Sequence, residues 1–401
     1  MFDFISTPQR TTPSRLAFTG NPIIMRSNDH FGDQPVGGYP FKIEIEGVTV
    51  FNGRFNYPHF INVADIVNAY AQPILEPGDV EPIDNGPFIL IEDESEVSCR
   101  QVWVVFDGEF DEEMAFFALP GGISKQNFRR LGGPFSSRDI FTERFCAAGT
   151  NCFLTTRTAG WRILMKETEI YPLYCISDYG GDWFQFVEKT TGQSWEVEDM
   201  DRGIYALDVE ALRRHFFDEF GVLANSFDIY HRNKYACRLV IEQADPARER
   251  YRLKFRNSLG VFEIIEITGE MSITPQWEDA EDKIFKKYDW ITDDYISARD
   301  RIERKQKITV KTGIKRPDET RFLMDMLGSD EVYLLDLTGL PVRVIPSAEE
   351  FVYKQRPEAP QSFTLTLELA DSETNILQEI IDGSEARKPR VFSKQFSKQF
   401  N

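Results

Sequence analysis

A chain of 401 residues exceeds what one hydrophobic core ordinarily supports, so it predicts two or three domains, each large enough to fold without disulfide staples. Its net charge of −19, on 41% hydrophobic and 28% charged residues, marks an acidic globular protein and argues against nucleic-acid binding, which needs clustered Lys and Arg against phosphate. With 33 Phe, 14 Tyr, 21 Pro and 26 Gly, and no run of 18 apolar residues to span a membrane, the expected fold is mainly β: two or three antiparallel β-sandwich-like domains with a few short helices.

Residues 1–120 read as an N-terminal β-sandwich domain. The opening MFDFISTPQRTTPSRLAF lacks the continuous apolar core of a secretory signal. An entry strand runs through Leu16 to Met25 around Gly20 and Pro22. FKIEIEGVTVFNGRF then alternates at Phe41, Ile43 and Ile45, turns at Glu46 and Gly47, and resumes at Val48 and Val50. A short helix is expected at VADIVNAY, and strands PFILIE and VSCRQVWVVF flank the acidic turn EDESE. Residues 121–139 carry the pairs Gly121, Gly122 and Gly132, Gly133; a phosphate-cradling loop would need Lys-Ser/Thr after them, so the segment reads as a linker.

A middle β domain spans 140–245, with strands at CFLTTRT, WRILMKE, LYCISD and WFQFVE and one helix. Asp208 caps that helix, Val209, Leu212, Phe216 and Phe220 share a face, and Gly221 stops it; His215 reads as a surface residue, not a ligand. From YACRLVIEQ the chain breaks at ADPARER, which sets the domain boundary. YRLKF, the turn RNSLG and VFEIIEITGE follow, with Glu263, Glu266 and Glu270 read as the wet side of a strand.

The C-terminal β-rich domain, 246–385, carries a helix introduced by Pro317 and closed by Gly328, and strands VYLLDL, PVRVIP and SFTLTLEL. Between Trp277 and Lys307 lies a long charged excursion with a few anchoring rings. Its acids, including Asp293 and Asp294, lack the one-three-five spacing of a calcium loop. Excursions of this length are often functional, so its rings Trp290 and Tyr295 are candidate assembly contacts.

Chemical signatures are missing. Cys99, Cys146, Cys152, Cys175 and Cys237 sit mostly in apolar runs and read as reduced core thiols, with a local Cys146 to Cys152 disulfide the alternative. No GxSxG elbow accompanies the four His, no two of which lie within four residues, and strands and helices do not alternate as in redox-cofactor folds. No catalytic residue, metal site or cofactor is expected. Glycosidases often lack a short motif, so a carbohydrate-binding or carbohydrate-cleaving β-sandwich stays open, on acids beside aromatics in WFQFVE near Asp182 and in YDWITDDY.

Two segments carry a resemblance: FTGNPIIM leading into a hairpin, and RYRLKFRNSLGVFEIIEITGE followed by ERKQKITVKTG, PDETRFLMDMLGSDEVYLLD and PVRVIP. These are similar to structural proteins from tails of bacteriophages and prophages, over about 100 residues well and the first 60 loosely, on strand, turn and helix patterns without catalytic residues. The resemblance implies a non-enzymatic subunit of the tail tip, baseplate or neck, made in the host cytoplasm and resident in the virion. Its partners would be other copies of itself and neighbouring tail proteins, with a host-surface glycan as a further candidate. Residues 386–401 form a basic, aromatic tail: Arg387, Lys388, Arg390, Lys394 and Lys398 give it +5, leaving −24 on the rest. Its repeated Ser-Lys-Gln-Phe spaces Phe392, Phe396 and Phe400 four apart, one face of a helix, and with Arg387, Lys388 and Arg390 they are the remaining candidate assembly contacts.

Overall fold

A computed structural model describes residues 2–4, 16–27, 38–55, 60–70, 74, 76–79, 86–93, 100–106, 112–130, 145–177, 181–201, 203–277, 284–299, 304–335, 341–354 and 360–370. The fold is mainly β, and among the described residues all strand pairings but two are antiparallel.

The first part of the chain supplies β1 (Phe2–Phe4), β2 (Leu16–Phe18), β3 (Ile24–Ser27), β4 (Tyr39–Ile45), β5 (Val48–Phe55), β6 (Phe60–Asn62), α1 (Ala64–Asn68), β7 (Phe88–Asp93), β8 (Arg100–Phe106), β9 (Glu112–Leu119) and α2 (Lys125–Arg130). A five-stranded sheet, β2-β9-β8-β4-β5, presents Ile43, Val102, Val104 and Phe116 to Val63 and Val67 on and beside α1, while β1-β3-β6 forms a smaller sheet. The β4–β5 turn is a two-residue hairpin with positive φ at both Glu46 (53°) and Gly47 (77°), whose twist matches that of the strands. Strand β7, expected beside β8, leaves this sheet and joins the middle of the molecule.

The middle part holds β10 (Thr158–Ala159), β11 (Arg162–Lys166), β12 (Leu173–Ser177), β13 (Asp182–Glu188), β14 (Ser194–Met200), β15 (Gly203–Leu207), α3 (Val209–Phe220), β16 (Ser226–His231) and β17 (Lys234–Glu242). A six-stranded sheet, β10-β11-β17-β16-β13-β14, encloses a core with α3 and the three-stranded sheet β12-β15-β7. The caps of α3 are those the sequence predicts: the Asp208 carboxylate accepts the Ala211 N–H at 3.0 Å, and Gly221 turns left-handed at φ 67°. His215 is not a free surface ring; it stacks on Trp195 with centroids 3.7 Å apart. Of the expected strand CFLTTRT only a bridge at Phe153 and the start of β10 form. Cys146, Cys152, Cys175 and Cys237 are buried and form no disulfide with one another, and burial pushes the last three thiols up, which keeps them protonated; Cys99 lies outside the described residues.

The three-stranded sheet is buried on both faces. Leu173, Cys175, Tyr205, Leu207 and Phe88 face the middle core, whereas Tyr174, Ile176, Ile204, Ala206 and Ile91 face a second core shared with Phe18, Leu119, Leu259 and Val261. The first and last parts of the chain therefore meet across it. Their backbones touch at a glycine, where the Gly122 N–H donates to the Ser258 carbonyl at 2.6 Å, and within the first part the Gly20 N–H donates to the Gly121 carbonyl at 2.7 Å. Part of the segment read as a linker is thus docked, and α2 follows it; residues 131–139 are outside the described set.

The last part contains β18 (Tyr251–Arg256), β19 (Phe262–Ile267), β20 (Met271–Trp277), β21 (Ile284–Asp289), β22 (Asp294–Arg299), β23 (Arg304–Lys311), α4 (Pro317–Leu327), β24 (Val332–Leu334), β25 (Val342–Ser347) and β26 (Thr364–Leu369). Its seven-stranded sheet runs β19-β18-β24-β25-β26-β23-β20, with Phe322, Leu323 and Met326 of α4 on one face. Glu319 accepts the Arg316 N–H at 2.8 Å at the start of α4, and Pro317 occupies its first turn, as the sequence predicts.

Two expectations are overturned here. Glu263 and Glu266 are buried, with only Glu270 exposed, because β19 is covered on both faces. The Trp277–Lys307 excursion is not irregular: it carries the hairpin β21–β22, in register from Ile284 opposite Arg299 to Asp289 opposite Asp294.

The glycine joint gives a sharp test. Gly260 has φ of 90°, and a Cβ there would stand 2.2 Å from the Pro120 carbonyl oxygen. Gly260→Ala should cost about 2 kcal/mol or more, read as a lower urea midpoint; an unchanged midpoint would mean the two backbones are not in contact.

Candidate functional site

The hairpin β21–β22 is the most exposed apolar element among the described residues. Its two strands pair only with each other there, and residues 290–293 close it with Asp293 at φ 53°. Trp290 is 80% exposed, Ile291 74% and Tyr295 62%, with Tyr288 and Ile296 also open to solvent. Tyr288 and Tyr295 are direct cross-strand partners and meet edge to face at 5.4 Å, so the two rings brace each other. Local hydrogen bonds shape the tip: Asp289 accepts the Ile291 N–H at 3.2 Å and the Thr292 hydroxyl at 2.9 Å, and Asp293 accepts the Tyr288 hydroxyl. Sequence reasoning located Trp290 and Tyr295 but missed Ile291 and Tyr288. The missed signal is the turn-rich DWITDD between two short runs that each carry a Tyr. Arg387, Lys388, Arg390, Phe392, Phe396 and Phe400 lie outside the described residues.

The acids that kept a carbohydrate-cleaving reading open have local duties. Asp182 is 1% exposed and takes hydrogen bonds from Arg232 Nε at 2.9 Å and Nη2 at 3.1 Å, with His231 Nε2 at 2.7 Å on the other side. Burial alone would raise its carboxyl, but His231 and Arg232 hold it below the ordinary 3.8. Glu188 caps the turn behind β13 by accepting the Thr190 and Thr191 N–H groups at 2.8 and 2.6 Å. A cleft of about 440 Å³ opens where the first and last parts meet, yet its carboxylates are engaged: Asp325 by the Thr156 hydroxyl at 2.8 Å and the Ser258 N–H at 3.1 Å, Asp330 by Arg256 at 2.7 Å. Among the described residues, no group of three or more His, Cys, Asp or Glu comes together to hold a metal.

A charged seam joins the middle and last parts. Strand β19 is an edge strand, and the outward backbone groups of its second half are met by side chains instead of another strand. Glu169 accepts the Glu266 N–H at 2.7 Å, Lys315 donates to the Glu266 carbonyl at 2.6 Å, and Arg157 donates to the Ile264 carbonyl. Arg157 also binds Glu169 and lies 4.2 Å over the Phe322 ring. Glu263 is held by the Thr155 hydroxyl at 2.5 Å and the Asn257 amide at 2.6 Å. The Glu266 carboxylate receives no hydrogen bond; Arg250 Nε stands 2.9 Å away but off the hydrogen-bond axis, so that pair is purely electrostatic. Lys166 reaches across to Asp245 at 2.5 Å and Glu319 at 3.0 Å.

The seam's groups titrate in opposite directions. Burial dominates at Glu263 and raises it above 4.5 despite Arg157. At Glu169 burial is outweighed by the Arg157 and Lys315 charges, which hold it below 4.5. Burial, and then the Lys166 charge, push Lys315 below 10.5. A carboxyl raised in the folded state binds its proton more tightly there, so its contribution to stability falls as pH rises from 4.5 through the folded value. Glu263→Gln should remove that fall: relative to wild type its stability should improve as pH rises across this window. Urea midpoints against pH check this, and a constant difference from pH 4 to 8 would mean Glu263 is not raised.

No protein-family model and no curated protein sequence matches the chain.

Proposed function

We propose that this chain is a non-enzymatic structural subunit of a phage-like tail, in the tail tip, baseplate or neck, and that it works through contacts with neighbouring subunits. It would be made in the host cytoplasm and reside in the virion. The sequence resemblance over the β18–β25 region supports the tail assignment, and one observation carries the mode of action: the exposed hairpin β21–β22. A two-stranded ribbon is marginal in water on its own, and a cluster of large exposed apolar side chains marks a contact surface more than a random scatter does. Trp and Tyr are the residue types that anchor such contacts, filling a partner's pocket with stiff, amphipathic area.

A second reading draws on the same rings. Exposed Trp290 and the Tyr288–Tyr295 pair offer flat apolar faces of the kind on which sugars stack, so a glycan-binding subunit fits them too. Cleavage fits less well, since Asp182 and Glu188 are buried and hydrogen-bonded.

The double variant Trp290→Asp, Ile291→Asp separates these readings. Both side chains are exposed, so the melting temperature should hold within a degree or two, while self-association in sedimentation velocity should weaken by roughly 30-fold or more, the loss of about 2 kcal/mol expected of an interface anchor. A wild-type chain that stays monomeric and binds glycans through Trp290 would favour the second reading.

A further inference from the structure

The hairpin tip has a charge as well as an apolar centre. Trp290 and Ile291 are flanked by Asp289, Asp293 and Asp294, and among the described residues no Lys or Arg forms an ion pair with any of the three. Asp289 and Asp294 are direct cross-strand partners, an arrangement of like charges that destabilises a ladder. A cationic partner offsets that repulsion, and an anionic one adds to it. The occupant that fits is therefore apolar and basic.

This chain carries such a segment. Residues 386–401 hold five Lys or Arg and no acid, on a chain whose net charge is −19, and Phe392, Phe396 and Phe400 alternate with Lys394 and Lys398. Rings would meet Trp290 and Ile291 while the ammonium groups meet the three carboxylates. Strand β20 starts only four residues after β19 ends, so the seam borders the start of β20, whereas the hairpin follows its other end at Trp277. The hairpin's connection to the sheet is thus at the end of β20 remote from the β19–β20 turn.

Resting on the subunit reading, we infer that the β21–β22 tip is the docking site for residues 386–401 of a second copy of this chain. The contact is head to tail: one surface meets a different surface, so an open series always keeps one free tip and one free basic segment at its ends, and it closes into a ring or runs on as a filament. Ionic strength weakens the charged half of the contact, whereas the apolar half persists.

Complementation tests this. A chain lacking residues 386–401 and a full-length chain bearing Trp290→Asp and Ile291→Asp are prepared separately, each checked by circular dichroism against wild type. Each alone should be monomeric in sedimentation velocity. Mixed, they should form a 1:1 heterodimer and nothing larger, since only one intact tip and one intact basic segment remain, and its Kd should rise at least tenfold between 0.1 and 1 M NaCl. As a second variant, Asp289→Lys, Asp293→Lys and Asp294→Lys should abolish pairing, and Lys394→Glu with Lys398→Glu on the partner should restore it. If both variant chains assemble as wild type does, the pairing is wrong while the subunit reading stands. A deletion chain that assembles alone, a mixture that stays monomeric, or a segment that docks only within its own molecule also overturns the pairing. A wild-type chain that is monomeric and binds glycans overturns both.

Discussion

The whole arrangement depends on how one buried sheet edge is completed. An edge strand offers a row of unpaired N–H and C=O groups, and a buried edge must satisfy them or lose the equivalent of several hydrogen bonds. In β19 the partners are Glu169, Lys315 and Arg157, which bond the Glu266 N–H, the Glu266 carbonyl and the Ile264 carbonyl. Charged side chains serve here because a long cation reaches a carbonyl that a neighbouring strand would otherwise meet. Their own burial is then offset by one another: Arg157 against Glu169, Lys166 against Glu319 and Asp245. Two sheets are joined at an edge without becoming one continuous, self-templating sheet.

That weld fixes what lies at both ends of the seven-stranded sheet. Towards the start of β19, the turn at Asn257 to Gly260 packs against the backbone of Pro120 and Gly121 and brings Leu259 and Val261 into the second core. Across the sheet the opposite edge is β20, where Pro275 withholds an N–H and blunts the edge against further pairing. The hairpin leaves from this blunted edge. Contact with a neighbour is thereby directed to the side chains at the tip and not to open backbone, a safer way to self-associate for a protein rich in strands.

Local chemistry was legible from the residues, and distant partnership was not. Asp208 and Gly221 around α3, Pro317 before α4, and the Glu46, Gly47 hairpin were readable because each is decided within a few residues by capping or by φ. Strand β7 was read into the first domain, next to β8 in sequence, whereas its partner β15 lies more than a hundred residues on. The misreading of Glu263 and Glu266 is more instructive. They are three residues apart, so on a strand they point to opposite faces, and a single wet face could never have held both. That spacing was the available signal that β19 is buried on both sides. Their partners Arg157 and Glu169 sit in an unremarkable stretch of the middle segment, which no local pattern connects to β19. The apolar tip was visible as isolated aromatics, but their exposure is a tertiary fact.

The most direct test of the weld is calorimetry of Arg157→Ala. Removing this side chain leaves the Ile264 carbonyl unpaired and the Glu169 and Glu263 carboxylates without their guanidinium, a loss of about 3 to 5 kcal/mol for a broken buried pair. Wild type should unfold its middle and last parts in one calorimetric transition, and the variant should split that transition in two, with the last part melting first. A variant that melts in one transition at the wild-type temperature would contradict the seam's role in holding the molecule together.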